Sequence, residues 1–289
     1  MSRFPPRALA LAAAAATLLA AVPARAQLRL PGLPALPGTV LPAPTPPSPR
    51  LAELLPGDVP LQELRARLVR DLLRERGSRL ETDPAGEPVV RGELVVAAPT
   101  DPFLVAARAQ GFRVLREQTL EGLDLRSAVL AAPEGMATAQ ALARLRALDP
   151  AAQVDYQHVY LHGGAVEPAA APDRTAASTD VPVGAGRVGL VDGGVEHDHP
   201  ALRGAELRVW GCGGQRWPSV HGTAVASLLV GRDRAFRGAM PHAILYAADV
   251  YCGQDTGGSV EAVVQALAWM ARERVAVVNV SLVGAPNRL

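Results

Sequence analysis

The chain of 289 residues contains no lysine; all 29 of its basic side chains are arginine. Against 28 acidic residues they leave a formal charge of +1. So even a balance excludes nucleic acid as the main partner, because phosphate binding needs a basic surface or stripe. Runs of five or six like charges are also missing, which excludes acidic and basic tails. Only two asparagines occur, Asn279 and Asn287, beside abundant Ala, Gly and Pro. That pattern reads as a coding bias and carries no functional signal. There are two cysteines, Cys212 and Cys252, and no CxxC, so no thiolate metal site is suggested. After residue 26 no stretch is long and apolar enough to span a membrane.

What is present begins with a leader. Arg3 and Arg7 precede an apolar run from Ala8 to Val22, and Ala24-Arg25-Ala26 forms a small-x-small site. This is the layout of a secretory signal peptide over 1–26. The apolar run falls short of the roughly 20 residues that a spanning helix needs. The protein is therefore expected to be secreted or periplasmic, with no membrane span once the leader is cleaved. In such a compartment Cys212 and Cys252 can form one disulfide, two separate thiols being the alternative.

The remainder divides by composition. Residues 27–60 are proline-rich and read as an extended linker. In 61–90, Leu61, Leu64, Leu68 and Leu72 mark one face of an amphipathic helix ending at Gly77, followed by a connector. Residues 91–162 alternate as strand, helix, two strands, helix and strand, the split-βαβ or ferredoxin-like α+β pattern. Residues 163–186, rich in Ala and Pro, read as an exposed linker. The last segment, 187–289, has continuous apolar strands at Val188–Val191, Ala243–Ala248 and Val275–Val280. A helix capped by Ser259 precedes the third of them. Strand–helix alternation of this kind indicates an α/β fold with a parallel sheet and helices on both faces.

The chemistry concentrates there. Asp192 sits at the carboxyl end of the first apolar strand, where functional groups of open α/β sheets gather. His221 opens the small-residue run HGTAVAS. A histidine that takes a nucleophile's proton needs a carboxylate on its other ring nitrogen, and Asp192 is the candidate. The consecutive Glu196, His197, Asp198 and His199 cannot all face one ion, so no metal is assigned to them. His158, His162 and His242 read as surface or internally satisfied histidines. Trp210 and Trp217 flank a Gly-rich stretch and could line a cleft or simply pack.

Four blocks now resemble the subtilisin-like serine proteases (the subtilases, peptidase family S8). They are VGLVDGGV with His199-Pro200 for the Asp motif, HGTAVASLLVG for the His motif, GAMPHAILYAADV for the strand that follows, and Asn279-Val280-Ser281-Leu282. The order Asp before His is that of subtilisin. The resemblance implies a partial subtilisin-like sheet carrying an endopeptidase active on polypeptide substrates. Asp192 would orient His221, and Ser281, Leu282 and Gly284 would line the substrate edge. It also implies that 91–162 is a propeptide-like domain, a partner that covers the cleft of its own protease. No cofactor is implied; calcium is common in the family, but no Asp-rich loop identifies a site. Two departures are Gly193, where the family has Ser or Thr, and Ala224 in place of a second His. A third is that no Gly-Thr-Ser segment or oxyanion Asn follows His221. The expectation is thus a precursor whose catalytic domain is cut short and inactive, since loss of the nucleophile costs about a millionfold in turnover. The alternative is a non-catalytic inhibitor or peptide-binding module with a decayed protease half. The Val275–Val280 strand is then expected at an unprotected sheet edge.

Overall fold

A computed structural model describes residues 61–163, 186–233 and 236–289. The signal-peptide segment, the proline-rich linker and nearly all of the second linker lie outside the described residues. The first described element, α1 (Leu61–Arg76), has the span that its leucine spacing predicts. Its packed stripe keeps Leu72 and takes in Val69 and Leu73, however. Val69 is buried, with Leu72 and Leu73 resting on Leu80, Val90 and Val159, while Leu64 is exposed. Val69, Leu72 and Leu73 stand at i, i+3 and i+4, which is equally good helical spacing, and the neighbouring sheet decides between the two stripes.

That sheet is antiparallel. Its strands are β1 (Leu80–Thr82), β2 (Pro88–Ala97), β3 (Arg113–Leu120), β4 (Leu125–Ala131) and β5 (Gln153–His158). They run in the order β3-β4-β2-β5, with β1 paired to the first residues of β2. Helix α2 (Asp101–Ala109) links β2 to β3, and α3 (Thr138–Leu148) links β4 to β5. This is the strand order of the split-βαβ pattern. The sheet starts earlier than residue 91, because β1 and the first residues of β2 come from the segment read as a connector. Period-two alternation sorts its side chains. Leu94 and Val96 face Phe103, Leu104, Leu142 and Leu145 of the two helices. Val95 points to the opposite face with Leu120 and Val129.

A second sheet is wholly parallel. It comprises β7 (Arg187–Asp192), β8 (Leu207–Trp210), β9 (Ile244–Asp249) and β10 (Val277–Val280), ordered β10-β7-β9-β8. Helix α4 (Val220–Val230) covers one face through Ala226 and Val230, which meet Val188, Leu190 and Leu245. Helix α5 (Val260–Arg272) covers the other, with Ala266, Trp269 and Met270 against Val191, Tyr246 and Ala248. Helices thus lie on both faces, which is why β7 is apolar from Val188 to Val191. As the sequence suggests, the Ser259 hydroxyl caps α5, accepting from Ala262 N–H.

The two sheets share α5. Its Val260, Val264 and Ala268 pack on Val95, Leu120 and Val129 of the antiparallel sheet, opposite the residues that meet the parallel one. A helix buried on two sides is apolar nearly all round, as this one is. The polar link is Glu261, whose two carboxylate oxygens each lie 2.9 Å from Arg116 Nε and one of which also accepts from Gln157 Nε2 at 3.2 Å. Burial pushes the Glu261 carboxyl above its usual range, with Arg116 pulling the other way. The strands β6 (Leu161–His162) and β11 (Leu282–Val283) form a separate antiparallel pair. Among the described residues no helix is long and apolar enough to cross a membrane.

Candidate active site

The carboxyl ends of β7 and β9 place Asp192 and Asp249 side by side in register. Asp192 is fully buried. Its Oδ1 accepts from Gly193 N–H at 2.6 Å, and both of its oxygens lie 2.8–2.9 Å from His221 Nδ1. His162 Nδ1 approaches Oδ1 at 3.2 Å. Burial pushes the Asp192 carboxyl upward, but the hydrogen bonds from His162, His221 and Gly193 outweigh it and hold the group below its usual range. Asp192 therefore stays ionised and aims its charge at the imidazole.

His221 is the second residue of α4. The Ser219 hydroxyl caps that helix, accepting from Gly222 N–H at 2.9 Å. Gly222 allows the close approach that puts His221 over Asp192. A Cβ there would stand 2.8 Å from the Gly194 carbonyl oxygen and closer still to that of Gly193. The small residues after His221 thus let α4 begin against the turn that follows β7.

The far nitrogen, His221 Nε2, faces the Gly163 carbonyl oxygen at 3.0 Å. Gly163 ends the short strand β6, which pairs antiparallel with β11. Its N–H donates to Ser281 O at 2.9 Å, and Ser281 N–H donates to Val191 O at 3.1 Å. The segment from Leu161 to Gly163 therefore lies as an added strand along Ser281–Val283, leading to the imidazole. Tyr160 precedes it, its ring over Gly284, where a Cβ could not fit, and its hydroxyl donates to Ala285 O at 2.9 Å. Ser281, Leu282 and Gly284 are thus on one edge beside Asp192 and His221.

Residues 185–288 match the model of the subtilase family. Over that stretch the chain is subtilase-like. Among curated proteins nothing matches. Similar solved structures include the self-cleaved protease domain of PatA (23% identity, 32% of this chain and 36% of that one, TM-score 0.28) and two of the epidermin leader peptide processing serine protease EpiP from Staphylococcus aureus. The EpiP pair show 14% and 15% identity, cover 66% of this chain and 50% of theirs, and have TM-scores of 0.44 and 0.40. The chain spans between about a third and a half of the solved chains it matches.

Other residues of the subtilase-like protein fall as follows. Cys212 and Cys252 are bonded to each other. The bridge joins the loops after β8 and β9. Between them Asp249 Oδ1 accepts from Tyr251 and Cys252 N–H, while its buried Oδ2 has no partner among the described residues. Trp210 stacks on Trp269 at 6.2 Å, and Trp217 is half-exposed; both line a cavity of about 700 Å³ with Gly193 and Gly194. His199 caps the short turn Pro200–Leu202, and Glu196 N–H is held by Thr223, so the run from Glu196 to His199 does not converge. His158 is buried between Asp83 and Asn287, a satisfied core histidine, and His242 is exposed beside Arg232.

His162 differs from that expectation, for its ring belongs to the site. It stacks on Tyr251 with centroids 4.0 Å apart, and with Asp192 and His221 it presents ligand atoms within 4.8 Å of one another. A cation could sit among them, although hydrogen bonds already account for the cluster. Tyr251 is also new to the site. Burial first, then the charges of Asp192 and Asp249, push its phenol well up. It therefore remains a donor, and its hydroxyl bonds Tyr160 O at 3.1 Å. Nothing in sequence spacing links position 162 to position 192; only the pairing of β6 with β11 does.

Proposed function

We propose that this chain belongs to an exported subtilisin-like serine endopeptidase precursor and carries the acid–base half of its Ser-His-Asp machinery. The observation that carries the reading is the ionised Asp192 locked on His221 Nδ1, with a peptide segment laid along the adjacent strand edge. In this mechanism Asp192 fixes the imidazole's tautomer, and His221 Nε2 takes the hydroxyl proton of a serine as it attacks a peptide carbonyl. The proton then passes to the departing amine, leaving an acyl-enzyme that water hydrolyses. Substrate adds as a strand on Ser281–Gly284, the mode in which main-chain hydrogen bonds give affinity and side-chain pockets give specificity.

In the present arrangement the chain silences itself. Leu161–Gly163 occupies the substrate edge, and a carbonyl engages the nitrogen that would receive the serine proton. No serine among the described residues is hydrogen-bonded to His221. The antiparallel sheet acts as a propeptide-like cover, because β5 leads within three residues into β6 and holds it in place. The leader pattern of residues 1–26 supports export, and no cofactor is required.

Produced from its natural gene, the protein should hydrolyse casein and take a serine-directed phosphonate label, both lost in His221→Ala; label that survives His221→Ala would overturn the protease reading. Absence of hydrolysis and label in the unaltered protein, with the Asp192–His221 contact intact, would leave a peptide-binding module, which the docked β6 strand equally supports.

A further inference from the structure

Position 193 has no side chain, and the space this leaves is filled. A Cβ on Gly193 would stand 3.2 Å from His162 Cε1 and 2.5 Å from Ser219 Oγ. Into this notch the His162 imidazole projects from β6. One ring face lies on Tyr251, with the two planes 24° apart. Its Nδ1 meets Asp192 Oδ1, and the His221 ring stands 5.2 Å away on the other side. The wall's backbone is held independently of the docked segment, since Tyr251 N–H donates to Asp249 Oδ1, while its hydroxyl donates to the Tyr160 carbonyl of that segment.

The notch offers a flat aromatic wall, a charged acceptor at its floor, and a backbone approach that any Cβ would narrow. Imidazole meets all three at once, being planar, small and able to donate in the ring plane. Phenylalanine would stack and donate nothing; alanine would do neither. A hydrogen bond to an ionised acceptor is stronger than a neutral one, which gives the difference a magnitude.

We propose that this notch is an imidazole-reading subsite. It selects peptides with histidine immediately before the residue whose carbonyl faces His221 Nε2, and His162 is its resident occupant. The inference rests on the reading of Ser281–Gly284 as a peptide-binding edge and adds to it a substrate class.

The Gly163 amide, which donates to Ser281 O, reports how often the segment lifts off, because its hydrogen exchange follows local opening. Exchange measured by NMR on the full chain should be slow. His162→Ala should speed it by about tenfold or more, the worth of a charge-assisted bond, and His162→Phe should be faster than the unaltered chain. Gly193→Ser should speed it as well, and the double variant with His162→Ala should be no faster than the faster single one. Exchange in His162→Phe as slow as in the unaltered chain, or in His162→Ala unchanged, would overturn the imidazole subsite while leaving the peptide edge intact. A Gly163 amide already unprotected in the unaltered chain would overturn the edge reading and the subsite with it. Amides of β7 and β9 serve as the internal standard. If Gly193→Ser exposes them too, the two substitutions at His162 decide, since that side chain is 34% exposed and outside the core.

Discussion

The two sheets share a helix and differ at their borders. Strand β3, at one border of the antiparallel sheet, faces water with Arg113, Arg116 and Glu117. Strand β10, at the border of the parallel sheet, is Val277-Val278-Asn279-Val280, with Val277 55% and Val280 46% exposed. Charged side chains discourage a free edge from pairing with another chain, whereas valines invite it. Burial, then, does not distinguish the two regions; protection of their edges does. Helix α5 makes the difference consequential, because an event at either border reaches the other sheet through one packed element.

The strongest way to break this comparison is to weaken each core in turn. Leu94→Ala in β2 and Leu190→Ala in β7, both fully buried, should each cost about 2–5 kcal/mol. Because α5 packs on both sheets, either should shift a single denaturant transition; two resolved transitions would show that the helix does not couple them. Replacing Cys212 and Cys252 by serine should cost about 2–4 kcal/mol, the usual worth of a native bridge. Because α5 couples the sheets, that loss should appear in amide exchange of β2 and β4 as well as of β8 and β9.

Charge at the junction sharpens the comparison further. Arg116→Met removes the partner of Glu261, at about 1–2 kcal/mol near neutral pH; the cost stays below that of a fully buried pair because Arg116 is half-exposed. The Glu261 carboxyl is raised in the folded state, so its contribution is fully present below the ordinary value of 4.5 and is lost as pH rises through the folded one. The cost of Arg116→Met should therefore shrink in acid. Asp192 has the opposite sign. Its carboxyl is depressed, so its contribution is present above the ordinary value of 3.8 and is lost as pH falls through the folded one. Melting temperature plotted against pH should lose that acid limb in Asp192→Asn. The smallest effect on stability, within about 0.5 kcal/mol, belongs to Val277→Thr at the bare border. Light scattering should nevertheless show less concentration-dependent association.

Much of the scaffold could be read from side-chain periodicity. The bounds of α1 follow from its leucines and Gly77, and β7 from its unbroken apolar run, because long elements average over many residues. The Asp192–His221 contact could be read as well, since an Asp at a strand end and a His before small residues each carry a local reason. Strand β8 gave no signal: Leu207-Arg208-Val209-Trp210 is half-exposed, and its order comes from pairing with β9. The two-residue strands β6 and β11 are too short for any period. For the same reason nothing local marks His162, as its role depends on a pairing across more than a hundred residues. In α1 the exposure of Leu64 and the burial of Val69 depend on a neighbouring surface that is absent from the local pattern.

The pairing of β6 with β11 also fixes the order of the reaction that would open the site. The occupying strand is part of the same molecule, so its local concentration is set by chain geometry and does not fall when the sample is diluted. A free inhibitor would leave on dilution. Here vacancy is a unimolecular event, governed by how often the strand lifts or whether the chain behind it is cut. Occupancy of this cleft should accordingly be the same at nanomolar as at micromolar protein.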